Sequence, residues 1–207
     1  YEGQCVGMEL SSQQPLFSKN KLFIGLLTPC LWLIFAAFTN QLGADPAKKL
    51  VDQTGLWAIQ CLWLSLAMTP LKNWTGSSQW IQYRRMIGLF AFFYVLLHFL
   101  SYVFLLFGAQ WAFIGQELTK RPYIIVGFTA FVLLIPLAIT STAGWQRRLK
   151  RRWLTLHKLV YIIAVLALIH FIWLKKLGIF AVWPYALVLF ILFAERIRSH
   201  LRKKQLF

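Results

Sequence analysis

Of the four histidines in this 207-residue sequence, His98, His157 and His170 lie within long apolar stretches. An imidazole inside a membrane span needs a polar partner and is a functional candidate. A single one is as often a hydrogen-bonded packing residue, so their depths matter more than their number. His98 follows Arg84 by 14 residues, about 21 Å along a helix, and His170 follows His157 by 13, roughly 20 Å. With both helices running outward from basic ends, His98 and His170 reach a similar depth near the outer leaflet. Two neutral imidazoles facing each other across a bundle are what bis-histidine haem b needs, since the flat macrocycle slots between helices and takes one axial nitrogen from each. A zinc site fits less well, because no nearby Cys, Asp or Glu completes a tetrahedral set.

His157 has the depth of a second, cytoplasmic-side haem but no histidine partner. On an ideal helix, 13 residues leave it about 140° from His170. The matching position on the third apolar stretch is Arg84, which shares a face with His98 because 14 residues fall within about 40° of four turns. Arginine stays protonated and is a poor iron ligand. A second haem would take another sixth ligand, an open position or a ligand from a different helix. Alternatively, His157 serves a quinone or flavin, with Arg84, Arg85, Arg151 and Arg152 as an anionic-group site. The plainer reading of these arginines is membrane topology. His200 falls in a basic tail and reads as solvated.

The elements that must position these residues follow from composition. Apolar residues make up 59% of the chain and charged ones 14%, too few charges to cover a water-facing surface. At about 20 residues per span, six candidates emerge: Leu22 to Thr39, Gly55 to Leu71, Met86 to Phe107, Pro122 to Thr142, Trp153 to Leu174 and Ile179 to Ala194. Gly178 and Pro184 blur the start of the last. The fold class is an all-α integral membrane protein, a six-helix bundle with no room for a separate soluble catalytic domain and no visible internal repeat.

Sixteen of the 22 Lys and Arg residues fall on the side of the N-terminus; the other six are Lys48, Lys49, Lys120, Arg121, Lys175 and Lys176. The positive-inside rule then puts both termini in the cytoplasm. The net charge of +16 is thereby a topology signal and not a nucleic-acid footprint. Most of the tryptophans, Trp57, Trp74 and Trp111 among them, fall near span ends as interfacial anchors. Residues 1–18 form a polar tail without the basic start of a signal peptide. Met8 reads as the natural start, with residues 1–7 a non-native extension, and residues 19–207 as one domain with a short basic C-terminal tail. Cys5, Cys30 and Cys61 form no CxxC pair and carry no assigned function.

The stretches LGADP (Leu42 to Pro46), RRMIGL (Arg84 to Leu89), HFLSY (His98 to Tyr102), LTKRPYIIVG (Leu118 to Gly127), TST (Thr140 to Thr142), RRWLTLHKLVY (Arg151 to Tyr161) and ALIHFIW (Ala167 to Trp173) together resemble the MsrQ family, formerly YedZ. More distantly, the chain resembles the ferric reductase and NADPH oxidase transmembrane domain, whose members carry two pairs of haem histidines on two helices. It departs from that wider pattern at Arg84, where the fourth histidine would stand. The resemblance implies a bacterial inner-membrane subunit that takes electrons from the quinone pool through haem b to a periplasmic, molybdopterin-containing methionine sulfoxide reductase, which repairs oxidised envelope proteins. It implies His98, His157 and His170 as haem-iron ligands, with Arg84 beside them, and FMN as a further cofactor, although no flavin motif is present.

An intermediate-carrier role also follows from the residues themselves. No GxGxxG element occurs, so electrons must come from a quinol or a separate reductase. The outward loops suit docking better than substrate binding. The alternatives are a stand-alone transmembrane metal or quinone reductase of the cytochrome b561 type, and a haem-free small transporter.

Overall fold

The computed structural model describes residues 18–174 and 179–205, and all regular structure among them is helical. The order is α1 (Lys19–Phe38), α2 (Pro46–Thr75), α3 (Gln79–Leu100) extended by a π-helical segment (Ser101–Leu106), α4 (Trp111–Lys120), α5 (Pro122–Ile139), α6 (Ala143–Leu149), α7 (Arg151–Leu156), α8 (Leu159–Leu174) and α9 (Ile179–Gln205). Five stretches are long and apolar enough to cross a membrane: Lys19–Phe38, Pro46–Thr75, Gln79–Leu106, Pro122–Ile139 and Arg151–Leu174. The sixth expected span falls on the first part of α9, which is not among these five. Its apolar run from Ile179 to Ala194 ends at Glu195, about 24 Å of helix against a hydrocarbon core of roughly 30 Å.

Several boundaries differ from those expected, for local reasons. α2 starts nine residues before Gly55, because Asp45 caps it by accepting a hydrogen bond from the Lys48 amide at 3.0 Å and Pro46 presets its first turn. The stretch expected as a loop after Phe107 contains α4. The fifth span is not one continuous helix. It breaks at His157 and Lys158, where the Lys158 amide bonds the Thr155 carbonyl at 3.1 Å in a tightened turn. The ideal-helix angle between His157 and His170 therefore does not apply. Pro184 lies inside α9 without ending it, and the basic tail is a helical continuation of α9. Cys5, Met8 and the rest of the expected N-terminal tail up to residue 17, along with Lys175, Lys176 and Gly178, lie outside the described residues.

The core is built on α2 and α3. Tyr83, Ile87, Phe90, Ala91 and Tyr94 recur at helical spacing on α3 and meet Ala58, Leu62 and Leu66 of α2. Ala130 and Leu134 of α5 and Ile163 and Ala164 of α8 complete it, the small residues letting helices approach closely. Large apolar side chains also face outward, as membrane helices require: Phe38, Phe180 and Phe190 are 85%, 88% and 72% exposed. α1 is tied to the core by Tyr94, fully buried, whose hydroxyl donates to the Leu26 carbonyl at 2.7 Å. Tyr94→Phe should lower stability by about 0.5–1.5 kcal/mol, read as an earlier melting transition in detergent. An unchanged transition would show that α1 does not depend on this bond.

Candidate functional site

His98 ends α3 and His170 lies near the end of α8, while α2 and α5 start beside them. The site is thus made where the ends of two helices meet the starts of two others. His98 Nδ1 is 2.8 Å from the Val51 carbonyl of α2, and His170 Nδ1 is 2.7 Å from the Tyr123 carbonyl of α5. A carbonyl only accepts, so each Nδ1 carries the proton and each Nε2 keeps a free lone pair. This backbone-anchored tautomer is the form in which histidine ligates metals. The two rings lie edge to face, with centroids 6.3 Å apart and planes at 81°.

Each histidine reaches a carbonyl that already belongs to a helix, and glycine makes this possible. In an α-helix the carbonyl of residue i is directed toward residue i+4, so a side chain there crowds its second lone pair. The residues at i+4 are Gly55 and Gly127. A Cβ on Gly55 would stand 3.0 Å from His98 Nδ1, and one on Gly127 only 2.6 Å from His170 Nδ1. Both histidines lie 47 residues after their carbonyl, so carbonyl, glycine and histidine recur together (51 to 123, 55 to 127, 98 to 170, a shift of 72). The structure therefore repeats one helical-pair arrangement where the sequence shows no evident repeat. The signal available in the sequence was a glycine inside a span at the same distance before each histidine.

A cavity of about 540 Å³ opens between these helices, with both histidines in its wall, a size typical of cofactor sites. Its inner end is apolar, lined by Ile59, Leu62, Ala91, Leu134 and Ile163. Phe99 and Phe131, stacked at 5.0 Å and 25°, form part of its side. Polar groups gather at the opposite end: Lys48, Asp52, Tyr102, Glu117 and Arg121. α4 turns one face toward that end through Trp111, Ile114 and Leu118. Arg121, which caps α5, pairs with Glu117 at 2.7 Å and donates to the Tyr123 hydroxyl at 3.1 Å, fastening α4 beside the His170 anchor. The hydroxyl bond, aided by the Glu117 carboxylate, holds the Arg121 guanidinium above its ordinary range.

The structure brings His98 and His170 together and leaves His157 and Arg84 apart from them. His157 ends α7, half-buried, its ring stacked on Trp153 at 3.9 Å and its Nδ1 3.2 Å from the Trp153 carbonyl. Arg84 lies in the first turns of α3, and its own carbonyl accepts from Ser65 at 3.1 Å. Arg84, half-buried, lies close enough to His157 to act on it electrostatically, while Arg85, the residue 72 positions before His157, is exposed. His200 is exposed on α9. Among the described residues no three His, Cys, Asp or Glu side chains form a group that could hold a metal ion.

A helical membrane bundle with one histidine from each of two helix pairs facing across a cofactor-sized cavity defines a class, and residues 54–168 match the family described as ferric reductase like transmembrane component. Curated relatives are more specific. The protein-methionine-sulfoxide reductase heme-binding subunit MsrQ of Xanthomonas campestris pv. campestris (strain 8004) is 46% identical over 182 residues, covering 88% of this chain and 84% of the relative. The proteins of the same name from Xanthomonas oryzae pv. oryzae (strain MAFF 311018) and Polaromonas naphthalenivorans (strain CJ2) are 47% identical over 173 residues and 44% over 189. They cover 84% and 90% of this chain and 79% and 86% of their own. The chain belongs to the MsrQ family.

Proposed function

We propose that this chain holds haem b between His98 and His170 and relays electrons outward across the bacterial inner membrane to a periplasmic methionine sulfoxide reductase catalytic subunit. The observation that carries the reading is the pair of imidazoles facing one apolar cavity, each with Nδ1 fixed on a backbone carbonyl and Nε2 left as a lone-pair donor. The two glycines keep that space open on the anchored side of each ring. When bound, haem supplies a one-electron couple, chemistry that side chains lack.

The protein's own contribution is to fix both rings, exclude water with Phe99, Phe131 and the aliphatic inner wall, and bring the site to one end of the bundle. With both termini cytoplasmic, as the basic-residue count expects, that end faces the periplasm, where α4 and the neighbouring outward segments meet the partner. The donor is a quinol or a separate reductase on or within the membrane. FMN comes with the family resemblance and is given no residues here. His157 and Arg84, at the opposite end of the helices, take no part in the outer site.

The purified protein should show a b-type Soret band that sharpens and shifts on dithionite reduction and is reoxidised by the oxidised partner subunit. Colourless protein after expression with ample haem would overturn the reading in favour of a haem-free transporter. Rapid reduction of ferric chelates with no response to the partner would favour a stand-alone reductase.

A further inference from the structure

We propose that the Tyr102 hydroxyl, presented at the polar end of the cavity, donates a hydrogen bond to a carboxylate of the haem held by His98 and His170. The inference rests on the haem reading above and extends it to the way the cofactor is oriented.

Three observations converge on Tyr102. Its hydroxyl oxygen is buried without a hydrogen-bond partner, which native interiors avoid because the desolvated donor has lost water and gained nothing. Tyr102 lines the same cavity as the two histidines. It also lies one turn beyond His98, at the point where α3 changes to the π-helical Ser101–Leu106, a distortion that recurs at functional sites because it re-aims side chains. The ring is positioned by Phe107, 4.9 Å away between centroids, so the hydroxyl is directed by packing as well as by the backbone.

The cavity's asymmetry identifies what that donor meets. Haem b is a flat apolar ring with two propionate carboxylates on one edge, and burying a carboxylate among aliphatic side chains is costly. The inner end is lined by such side chains, so the carboxylate edge belongs at the polar end, where Tyr102, Lys48 and Arg121 stand with Asp52 and Glu117. There Arg121 is already engaged by Glu117 and Tyr123. This leaves the Tyr102 hydroxyl as a buried donor without a partner, with exposed Lys48 lining the same cavity.

Tyr102→Phe keeps the ring and its contact with Phe107 and removes only the donor. Haem transfer from the solubilised holoprotein to excess apomyoglobin should speed up by about tenfold or more, as expected for a hydrogen bond to a charged acceptor. The propionate-bending mode in resonance Raman should move to the value of a carboxylate without that bond. Wild-type protein reconstituted with haem dimethyl ester should release it at least as fast as the Phe variant releases haem. Unchanged transfer and an unchanged Raman mode in a haem-loaded Tyr102→Phe would overturn the inference and leave the histidine pair intact. Equal retention of haem and its dimethyl ester by the wild type would do the same. Wild-type protein without haem would instead remove the reading on which it rests.

Discussion

Replacing His98 or His170 with alanine is expected to remove most of the haem from the purified protein, with helical content preserved. Changing a residue that merely orients a metal-bound histidine lowers metal affinity by roughly 10–100-fold, and removing a ligand should exceed that. Among the described residues, each ring also makes one hydrogen bond, from Nδ1 to a carbonyl that retains its helical partner. Truncation should therefore cost the fold little and the cofactor much. The two variants should behave alike, because the arrangement around His98 is repeated around His170. Haem per polypeptide from a pyridine haemochrome assay, beside circular dichroism, separates cofactor loss from unfolding. A double variant with wild-type haem content would sink the assignment. His157→Ala gives the contrast: its ring stacks on Trp153 at the end of α7, so the outer site should keep its haem.

How much of this could be read in advance differs residue by residue. The meeting of His98 and His170 was legible because depth along a helix is additive: a fixed rise per residue, counted from charges that mark the membrane surface, brings two side chains to one level without any knowledge of packing. What holds the rings was not legible. Val51 and Tyr123 act through carbonyl groups, which every residue has, so their side-chain identities carry no signal. Gly55 and Gly127 act by lacking atoms, and an isolated glycine in a span is ordinary in membrane proteins. The break at His157 was hidden for a related reason, since Arg151 to Leu174 is apolar enough to read as one span and hydropathy does not register a tightened turn. α4 was passed over as a loop because, at ten residues, it is too short to span. Its role is to cover the polar end of the cavity, which becomes apparent only once α3 and α5 are in place.

Gly127→Ala should be the most damaging substitution of a single carbon atom in the site. The added Cβ would lie 2.6 Å from His170 Nδ1 and 2.8 Å from Cε1, well inside contact distance for carbon and nitrogen. Relief requires the imidazole to swing away, since the other party is the backbone of α5. That swing breaks the bond to the Tyr123 carbonyl and turns Nε2 away from the cavity. Overpacking of this kind costs about 1–3 kcal/mol, and haem affinity should fall by roughly 10–100-fold, the range seen when a ligand's orienting bond is lost. Gly55→Ala, with its Cβ at 3.0 Å from His98 Nδ1, should follow the same course less severely. Haem that remains should be easier to reduce, because an imidazole without its Nδ1 hydrogen bond is a weaker donor to the oxidised iron. The controls are Gly25→Ala and Gly115→Ala, where nothing lies within 4 Å of the new carbon and haem content should not change. Haem titration and redox potentiometry on all four variants decide it. Gly127→Ala with wild-type affinity and potential would mean that His170 does not depend on the Tyr123 carbonyl beside it.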